Sequence, residues 1–263
     1  MHLALQTGKQ SHATRLASAL LGELLYEKGQ FIEAEELLDI GLGPAGGAVE
    51  FLMATYGTGA RLAAVRGDLD TAQQRLAAGA KIAADLSLPR LAARIVNERV
   101  RLGLPITDTE RETLDNLPPY TVQPTATLAI ASELARDSAI RLLLAESSPA
   151  AAQQACDKAE HFVREISRQT RPRALLLAEL LRGCCLSAIG QTGRAAELLA
   201  PALSHCATLG LARLVADSGR QLQPVLETLA GAPSEAGLPR SFLLQVLAQF
   251  EPALPNRSSR SDD

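Results

Sequence analysis

One spacing of small residues occurs three times along the chain and constrains its fold more than any other feature. Each copy holds a small residue, a glycine, a larger residue, an alanine and a leucine at the same offsets. The copies are Gly22, Gly29, Phe31, Ala34 and Leu38; Ala60, Gly67, Leu69, Ala72 and Leu76; and Gly183, Gly190, Thr192, Ala195 and Leu199. A helical hairpin that recurs in this way cannot bury its apolar face alone and stacks on its neighbours. We therefore expect an all-α fold, an α-solenoid of about six helical hairpins.

The small residues of each copy are expected where the two helices of a hairpin come closest, because a bulkier side chain would push the helices apart. The first such position is Gly22, Ala60 or Gly183, and the second is Ala34, Ala72 or Ala195. Gly29, Gly67 and Gly190 fall between the helices, where a turn with positive φ favours glycine. The leucines of the repeat are expected to fill the groove between hairpins.

The composition favours helices that pack closely. Hydrophobic residues make up 47% of the chain and aromatic residues only 3%, with no tryptophan, so the core consists mainly of alanine and leucine. No alternating apolar run of the kind that predicts strands persists along the sequence. The net charge of −3 and the isoelectric point near 5.9 give no overall attraction to nucleic acid or to a membrane.

The sequence predicts a cytoplasmic protein. No apolar run approaches the roughly 18 residues that span a bilayer, and the first ten residues lack the basic and apolar regions of a signal peptide. Four cysteines in a chain of 263 residues do not form a disulfide framework.

Breakers and capping residues divide the chain into a repeat domain, residues 1–250, and a polar tail, residues 251–263, that we expect to be disordered. A Pro-rich irregular segment at 104–124 interrupts the domain and contains one short helix, predicted from the capping box Thr107–Glu110. A third hairpin is expected over 89–103, and loops at 41–47 and 231–239. The other predicted helices are 11–28, 31–41, 48–66, 69–86, 108–116, 125–146, 149–168, 172–189, 193–209, 211–230 and 240–250.

The repeated spacing resembles the tetratricopeptide repeat, in which a small residue, a glycine, an aromatic residue and an alanine recur. Ser18, Tyr56 and Glu179 occupy the position at which that family usually has tryptophan, and Gly29 and Gly67 are 38 residues apart, against about 34 in the usual repeat. Long, loose repeats of this sort resemble the sensor domain of MalT-type, LuxR-family bacterial regulators. The segment 237–250 is similar to the one that joins their repeats to a helix-turn-helix, although none follows here. A MalT-like regulatory region also occurs in a mycobacterial serine/threonine kinase, which is a second possible parent.

The resemblance implies a concave groove lined by the first helix of each hairpin. Carried onto this chain, the groove positions are Glu23, Tyr26, Glu27, Arg61, Asp137, Arg141, Cys184 and Ser187. Arg61 and Arg141 are suited to hold a carboxylate or a phosphate, and Tyr26 is suited to stack on a ring or a sugar. The alternative is a solvated groove with no dedicated ligand.

Signals for catalysis or for a metal are weak. Residues 8–11 end like a P-loop, but Leu3 occupies the place of its first glycine. Zinc-protease, hydrolase-elbow, kinase and CxxC motifs do not occur, so we expect no catalytic centre and no cofactor. Cys184 and Cys185, with His205 and Cys206 on the next helix, could suggest a metal site. Adjacent residues on a helix diverge by about 100°, so buried thiols explain them better.

Two arginine clusters are interpreted as solvated helix faces rather than as a nucleic-acid surface, because no aromatic residues are interleaved with them. They consist of Arg90, Arg94, Arg99 and Arg101, and of Arg164, Arg168, Arg171 and Arg173. The sequence therefore predicts a regulatory or sensor module of a bacterial signalling or transcription-regulating protein. Its partners would be other domains of a larger parent, a protein or peptide, or a small effector in the groove. The alternative is a protein–protein interaction scaffold without a small-molecule effector.

Overall fold

The fold was derived from a computed structural model that describes residues 12–42, 48–118, 120, 125–146, 148–231 and 238–250. Regular structure in these ranges is entirely helical, which confirms the all-α prediction. The α-helices are α1 (His12–Glu27), α2 (Phe31–Asp39), α3 (Val49–Leu52), α4 (Gly59–Val65), α5 (Leu69–Asp85), α6 (Pro89–Arg101), α7 (Asp108–Asp115), α8 (Ala126–Ala145), α9 (Pro149–Ser167), α10 (Pro172–Ala188), α11 (Thr192–Leu209), α12 (Ala212–Ala216), α13 (Gln223–Gly231) and α14 (Arg240–Leu247).

Most helix ends follow the local signals in the sequence. The Thr107 hydroxyl accepts a hydrogen bond from Glu110 N while the Glu110 carboxylate accepts one from Thr107 N, which is the predicted capping box at the start of α7. Helices α6, α9 and α10 each begin with a proline, whose missing N–H costs nothing in the first turn.

Three predicted elements differ from the structure. The expected hairpin at 89–103 is the single helix α6, because the chain turns only at Gly103 and its next helix is the short α7. The expected helix at 48–66 contains a π-helical turn, Met53–Thr58, between α3 and α4. The expected helix at 211–230 is broken after α12, and 3-10 turns at Arg220–Leu222 and Ala248–Phe250 precede α13 and follow α14.

Consecutive helices pack against one another, and the repeated glycines lie at their closest approach. A Cβ atom added to Gly22 would lie 2.9 Å from Leu38 Cγ, and one added to Gly183 would overlap the Leu199 side chain. The alanines Ala34, Ala60, Ala72 and Ala195 are fully buried. Gly29, Gly67 and Gly190 have φ of 78°, 86° and 78°, a conformation that side chains with a Cβ atom resist.

The apolar interior forms two separate clusters. The first belongs to α1–α6 and includes Tyr26, Phe51 and Leu62. The second belongs to α8–α14 and includes Phe162 and Leu180. We call them the N-terminal core and the C-terminal core. Helices α6 and α8 join them, and α1 also touches α12, so the first and last parts of the described chain meet.

Several predictions concern residues outside the described ranges. They are the P-loop-like residues 8–11, most of the loops at 41–47 and 231–239, part of the segment 104–124 and the tail 251–263. Among the helices that the structure describes, none has the length and apolar character needed to cross a bilayer.

Candidate functional site

Most of the predicted groove residues face one inner region, where they bond mainly to residues that were not predicted instead of lining an open surface. Glu23, Tyr26 and Glu27 lie on α1, Arg61 on α4, and Asp137 and Arg141 on α8. Tyr26, expected to stack on a ligand, is 1% exposed, so its ring belongs to the N-terminal core. Ser187 is partly exposed near the end of α10 and lies apart from the others. We define the inner network as Tyr26, Arg61, Glu98, Arg101, Asp137, Arg141 and Asp217.

The first charge centre of the network is Glu98 on α6, whose side chain is fully buried. Arg61 donates from Nε to Glu98 Oε2 over 2.9 Å and makes a second bond to Oε1. Arg94 Nε lies 2.9 Å from Glu98 Oε1. Burial acts to raise the pKa of Glu98, but Arg61 and Arg94 outweigh it and hold the pKa below its ordinary value. Glu98 is therefore an ionised carboxylate shared by two guanidinium groups.

The second charge centre is Asp137 on α8. Arg101 Nη2 lies 3.0 Å from Asp137 Oδ1, while Arg141 Nε and Asn97 Nδ2 each lie 2.7 Å from Oδ2. Burial again acts to raise the pKa of the carboxyl, but Arg101 and Arg141 hold it well below the usual range. Burial and then the neighbouring Arg141 lower the pKa of Arg101 to about 10, a value at which its guanidinium is still protonated at neutral pH.

The two centres are joined by the turn that follows α12. Tyr26 Oη donates to Asp217 Oδ2 over 2.8 Å, and Arg61 Nη1 donates to the same oxygen over 3.2 Å. Arg101 donates to the Asp217 carbonyl oxygen over 3.2 Å, and Arg141 to the Ser218 carbonyl oxygen over 2.8 Å. Burial and the nearby Asp217 carboxylate strongly raise the pKa of Tyr26, which keeps its phenol protonated and donating. Helices α1, α4, α6 and α8 therefore all bond to one short turn.

This turn exists because α12 ends early. Gly219 has φ of 139°, a value that L side chains rarely adopt. A Cβ atom on Gly219 would lie 2.7 Å from Gln221 Oε1 and 3.3 Å from Cys184 Sγ, so the chain passes close to α10. The Cys184 thiol itself donates to the Ser218 carbonyl oxygen over 3.3 Å. The Ser218–Gly219 pair is a turn signal that could have shown this break in the sequence.

Sequence reasoning missed Asn97, Glu98 and Asp217 and interpreted the arginines of α6 as a solvated face. The structure corrects that interpretation for Arg94 and Arg101, which point into the network. Outside the network, Arg99 pairs with Glu110, Arg171 with Glu133 and Arg173 with Glu27. A useful signal was the spacing of opposite charges four residues apart, at Arg94 and Glu98 and at Asp137 and Arg141.

The cysteines offer neither a disulfide nor a metal site. Cys156, Cys184, Cys185 and Cys206 are buried free thiols, and burial raises the pKa of Cys184 and of Cys206 to about 11. Within the described ranges, no group of histidine, cysteine, aspartate and glutamate residues could hold a metal ion.

Sequence comparison gives the relatives of this chain. It is similar to part of a serine/threonine-protein kinase. Over 215 residues the chain is 45% identical to serine/threonine-protein kinase PknK of Mycobacterium tuberculosis, strains CDC 1551 / Oshkosh and H37Rv, and equally to that of Mycobacterium bovis. The match covers 81% of this chain and 19% of PknK, so the chain spans about a fifth of the curated relatives it matches. No family model matches the chain, and no solved structure matches it.

Proposed function

We propose that this chain is a regulatory module of a signalling protein, in which an effector or a partner domain changes how the N-terminal and C-terminal cores pack. The similarity to one region of PknK supports a place in a kinase-type signalling protein. Kinase HRD and DFG motifs are absent from the sequence, so the catalytic centre of such a protein would lie in other residues.

One observation carries the proposal: the hydrogen bond from Tyr26 to Asp217 joins residues that are 191 positions apart. It belongs to a set of polar bonds that hold the turn after α12 against the inner helices. The two apolar cores are separate clusters, and these bonds join the first hairpins to the last helices alongside the packing of α6 on α8 and the ion pair of Arg173 with Glu27. A contact of this kind can exist in closed and opened arrangements without dismantling either core.

The energies are of a suitable size for regulation. A hydrogen bond to a charged group contributes about 1.5–3 kcal/mol net, and a ligand at a hundred times its Kd stabilises the state that it binds by about 2.7 kcal/mol. A ligand that prefers one packing of the cores can therefore change the populations of the two arrangements.

The test is a chimera in which this chain replaces the matched stretch of Mycobacterium tuberculosis PknK. Asp217→Asn removes the carboxylate that receives Tyr26 and Arg61 and should open the turn after α12. We expect the phosphorylation rate of the Asp217→Asn chimera to differ several-fold from that of the unmodified chimera. Arg168→Gln is the control, because Arg168 is 66% exposed and pairs with Glu165, three residues before it at the end of α9.

The proposal fails if the three chimeras phosphorylate at the same rate although hydrogen exchange shows faster exchange of the α12 amides in Asp217→Asn. That result would mean that the turn opens without any effect on the kinase.

A further inference from the structure

A cavity of about 420 Å³ lies beside the inner network, where α4 and α6 face α12 and the C-terminal 3-10 turn. This volume falls within the range of small-molecule sites. We call it the seam cavity. Its polar lining includes Arg61, Arg101, Arg213, Arg220 and Asp217, and its apolar lining includes Val65, Leu69, Leu102 and Phe250.

The charges that line the seam cavity are mostly positive. Four guanidinium groups and one carboxylate, Asp217, line it. Arg61 and Arg213 pair with Asp217, while Arg61 and Arg101 also pair with Glu98 and Asp137 next to the cavity. Arg213 Nε is buried and has no hydrogen-bond partner among the described residues. Arg220 is exposed, and no ion pair within the described part of the chain includes it. The cavity therefore presents N–H groups from which an anion could accept hydrogen bonds.

The pKa of Arg101 lies below its ordinary value, mainly because the side chain is buried. Burial and the nearby Arg141 make the charged form of Arg101 less favourable than in water. An anion in the cavity would offset both effects, because opposite charge favours the protonated guanidinium.

The apolar side of the cavity is also incompletely covered. Leu69, the first residue of α5, is 49% exposed, while Phe250 is 7% exposed and forms part of the C-terminal core. Val65 and Leu102 complete the apolar wall between them. A ligand with an apolar body would remove Leu69 from water, which favours binding.

We propose that the seam cavity binds an amphipathic anion, a carboxylate or phosphate group on a small apolar body, and that this anion is the effector of the regulatory module. Its charged group would lie between Arg101 on α6, Arg213 on α12 and Arg220 in the 3-10 turn that follows α12. A ligand in that place contacts both sides of the junction between the cores and stabilises the closed packing. The binding of the anion does not depend on the proposed function. Only the anion's role as effector rests on it.

The test measures binding of phenyl phosphate and benzoate to the full chain by calorimetry and by the shift in melting temperature. Inorganic phosphate is the anion without an apolar body, and benzylamine is an apolar body with the opposite charge. We expect at least one of the two aromatic anions to bind and to raise the melting temperature. Inorganic phosphate should bind at least tenfold more weakly and benzylamine not at all. The stronger of the two aromatic anions identifies the charged group that the cavity prefers.

Two variants locate the site. Arg220→Gln should weaken binding of the preferred aromatic anion by tenfold or more, because Arg220 is a charged donor of the cavity that has no ion-pair partner there. Leu69→Gln should weaken binding of the aromatic anion but leave binding of inorganic phosphate unchanged. Arg194→Gln is the matched control, since Arg194 is an exposed arginine on α11 that pairs with Glu160.

The inference is overturned if neither aromatic anion binds at millimolar concentration. It is also overturned if the Arg220→Gln variant binds the preferred aromatic anion as tightly as the unmodified chain does. If either result is found and the Asp217→Asn chimera still changes the phosphorylation rate, the proposed function stands with a different effector. If the anion binds as expected and no chimera changes its rate, the cavity is a binding site and the proposed function is the part that fails.

Discussion

At the scale of single residues, the chain buries charged side chains among its inner helices. Glu98 and Asp137 are buried, and each is held by two arginines. Burying such groups costs several kcal/mol per ion, which the partners only offset when their geometry is good. The network is therefore a poor source of stability, but it is sensitive to the loss of any one member.

Glu98→Gln tests this sensitivity. The change leaves Arg61 and Arg94 facing a neutral amide in a buried site, and we expect it to lower the free energy of unfolding by about 3–5 kcal/mol. Urea denaturation gives the value. Glu35→Gln is the control at the exposed pair with Arg66, where a loss of no more than about 1 kcal/mol is expected. Equal losses in the two variants would contradict a buried, energetically coupled Glu98.

The repeated glycines can be tested at Gly183, where an added Cβ atom would overlap the Leu199 side chain inside the C-terminal core. We expect Gly183→Ala to destabilise the chain by about 1–3 kcal/mol, because the core cannot expand freely. Gly193→Ala is the matched control, since nothing lies within 4 Å of its added Cβ atom. That change should be neutral or stabilising by up to about 1 kcal/mol. Thermal unfolding of the two variants distinguishes these outcomes.

At the scale of helices, local signals predicted most bounds closely and failed where the helix is interrupted for a distant partner. The helix expected at 172–189 is Pro172–Ala188, because its proline and glycine limits are local. The π-helical turn was not predictable, since its reason is a side chain from another helix. A Cβ atom on Gly57 would lie 2.7 Å from Arg94 Nε, and Thr58 accepts a hydrogen bond from Arg94.

The same distinction holds for the candidate site. The resemblance to tetratricopeptide repeats placed Arg61, Asp137 and Arg141 on inner faces, and the structure brings them together. The resemblance could not show that Asp217 would lie between these residues. That contact depends on how many helices precede α12 and on the break that follows it.

The break after α12 can be tested through Gly219. Gly219→Ala adds a Cβ atom close to Gln221 and Cys184 at a backbone conformation that alanine resists, so the turn should shift and the bonds to Asp217 should weaken. We expect faster hydrogen exchange at the α12 amides and a smaller change elsewhere. Gly231→Ala is the comparison, because it lies at the end of α13 and no described residue outside its own helix lies within 4 Å of its added Cβ atom. Unchanged α12 exchange in Gly219→Ala would show that the turn does not depend on its glycine.

At the scale of the whole molecule, a charged junction between two apolar cores makes the stability depend on pH. Asp137 and Glu98 have pKa values below their ordinary 3.8 and 4.5 in the folded chain. At pH values between the folded and the ordinary pKa values, the unfolded chain therefore binds more protons than the folded chain does. The stabilisation is present above the unfolded values and is lost as the pH falls through the folded ones.

We expect the urea midpoint to be nearly constant near neutral pH and to fall below about pH 5. Asp137→Asn should reduce the stability at pH 7 and make the acid dependence shallower, because one of the two carboxyls no longer titrates. The midpoints at pH 7, 5 and 4 check this. The same acid slope in both proteins would show that the lost stability comes from other carboxyl groups.

The bond between Tyr26 and Asp217 also orders events during synthesis. The partners are separated by 191 residues, so a ribosome has released α1 long before Asp217 exists. The early hairpins must then acquire their own packing before Tyr26 has its partner Asp217, since contacts that are distant in sequence form late. Newly made molecules should pass through a stage in which the N-terminal core has packed but the hydrogen bond from Tyr26 to Asp217 has not yet formed.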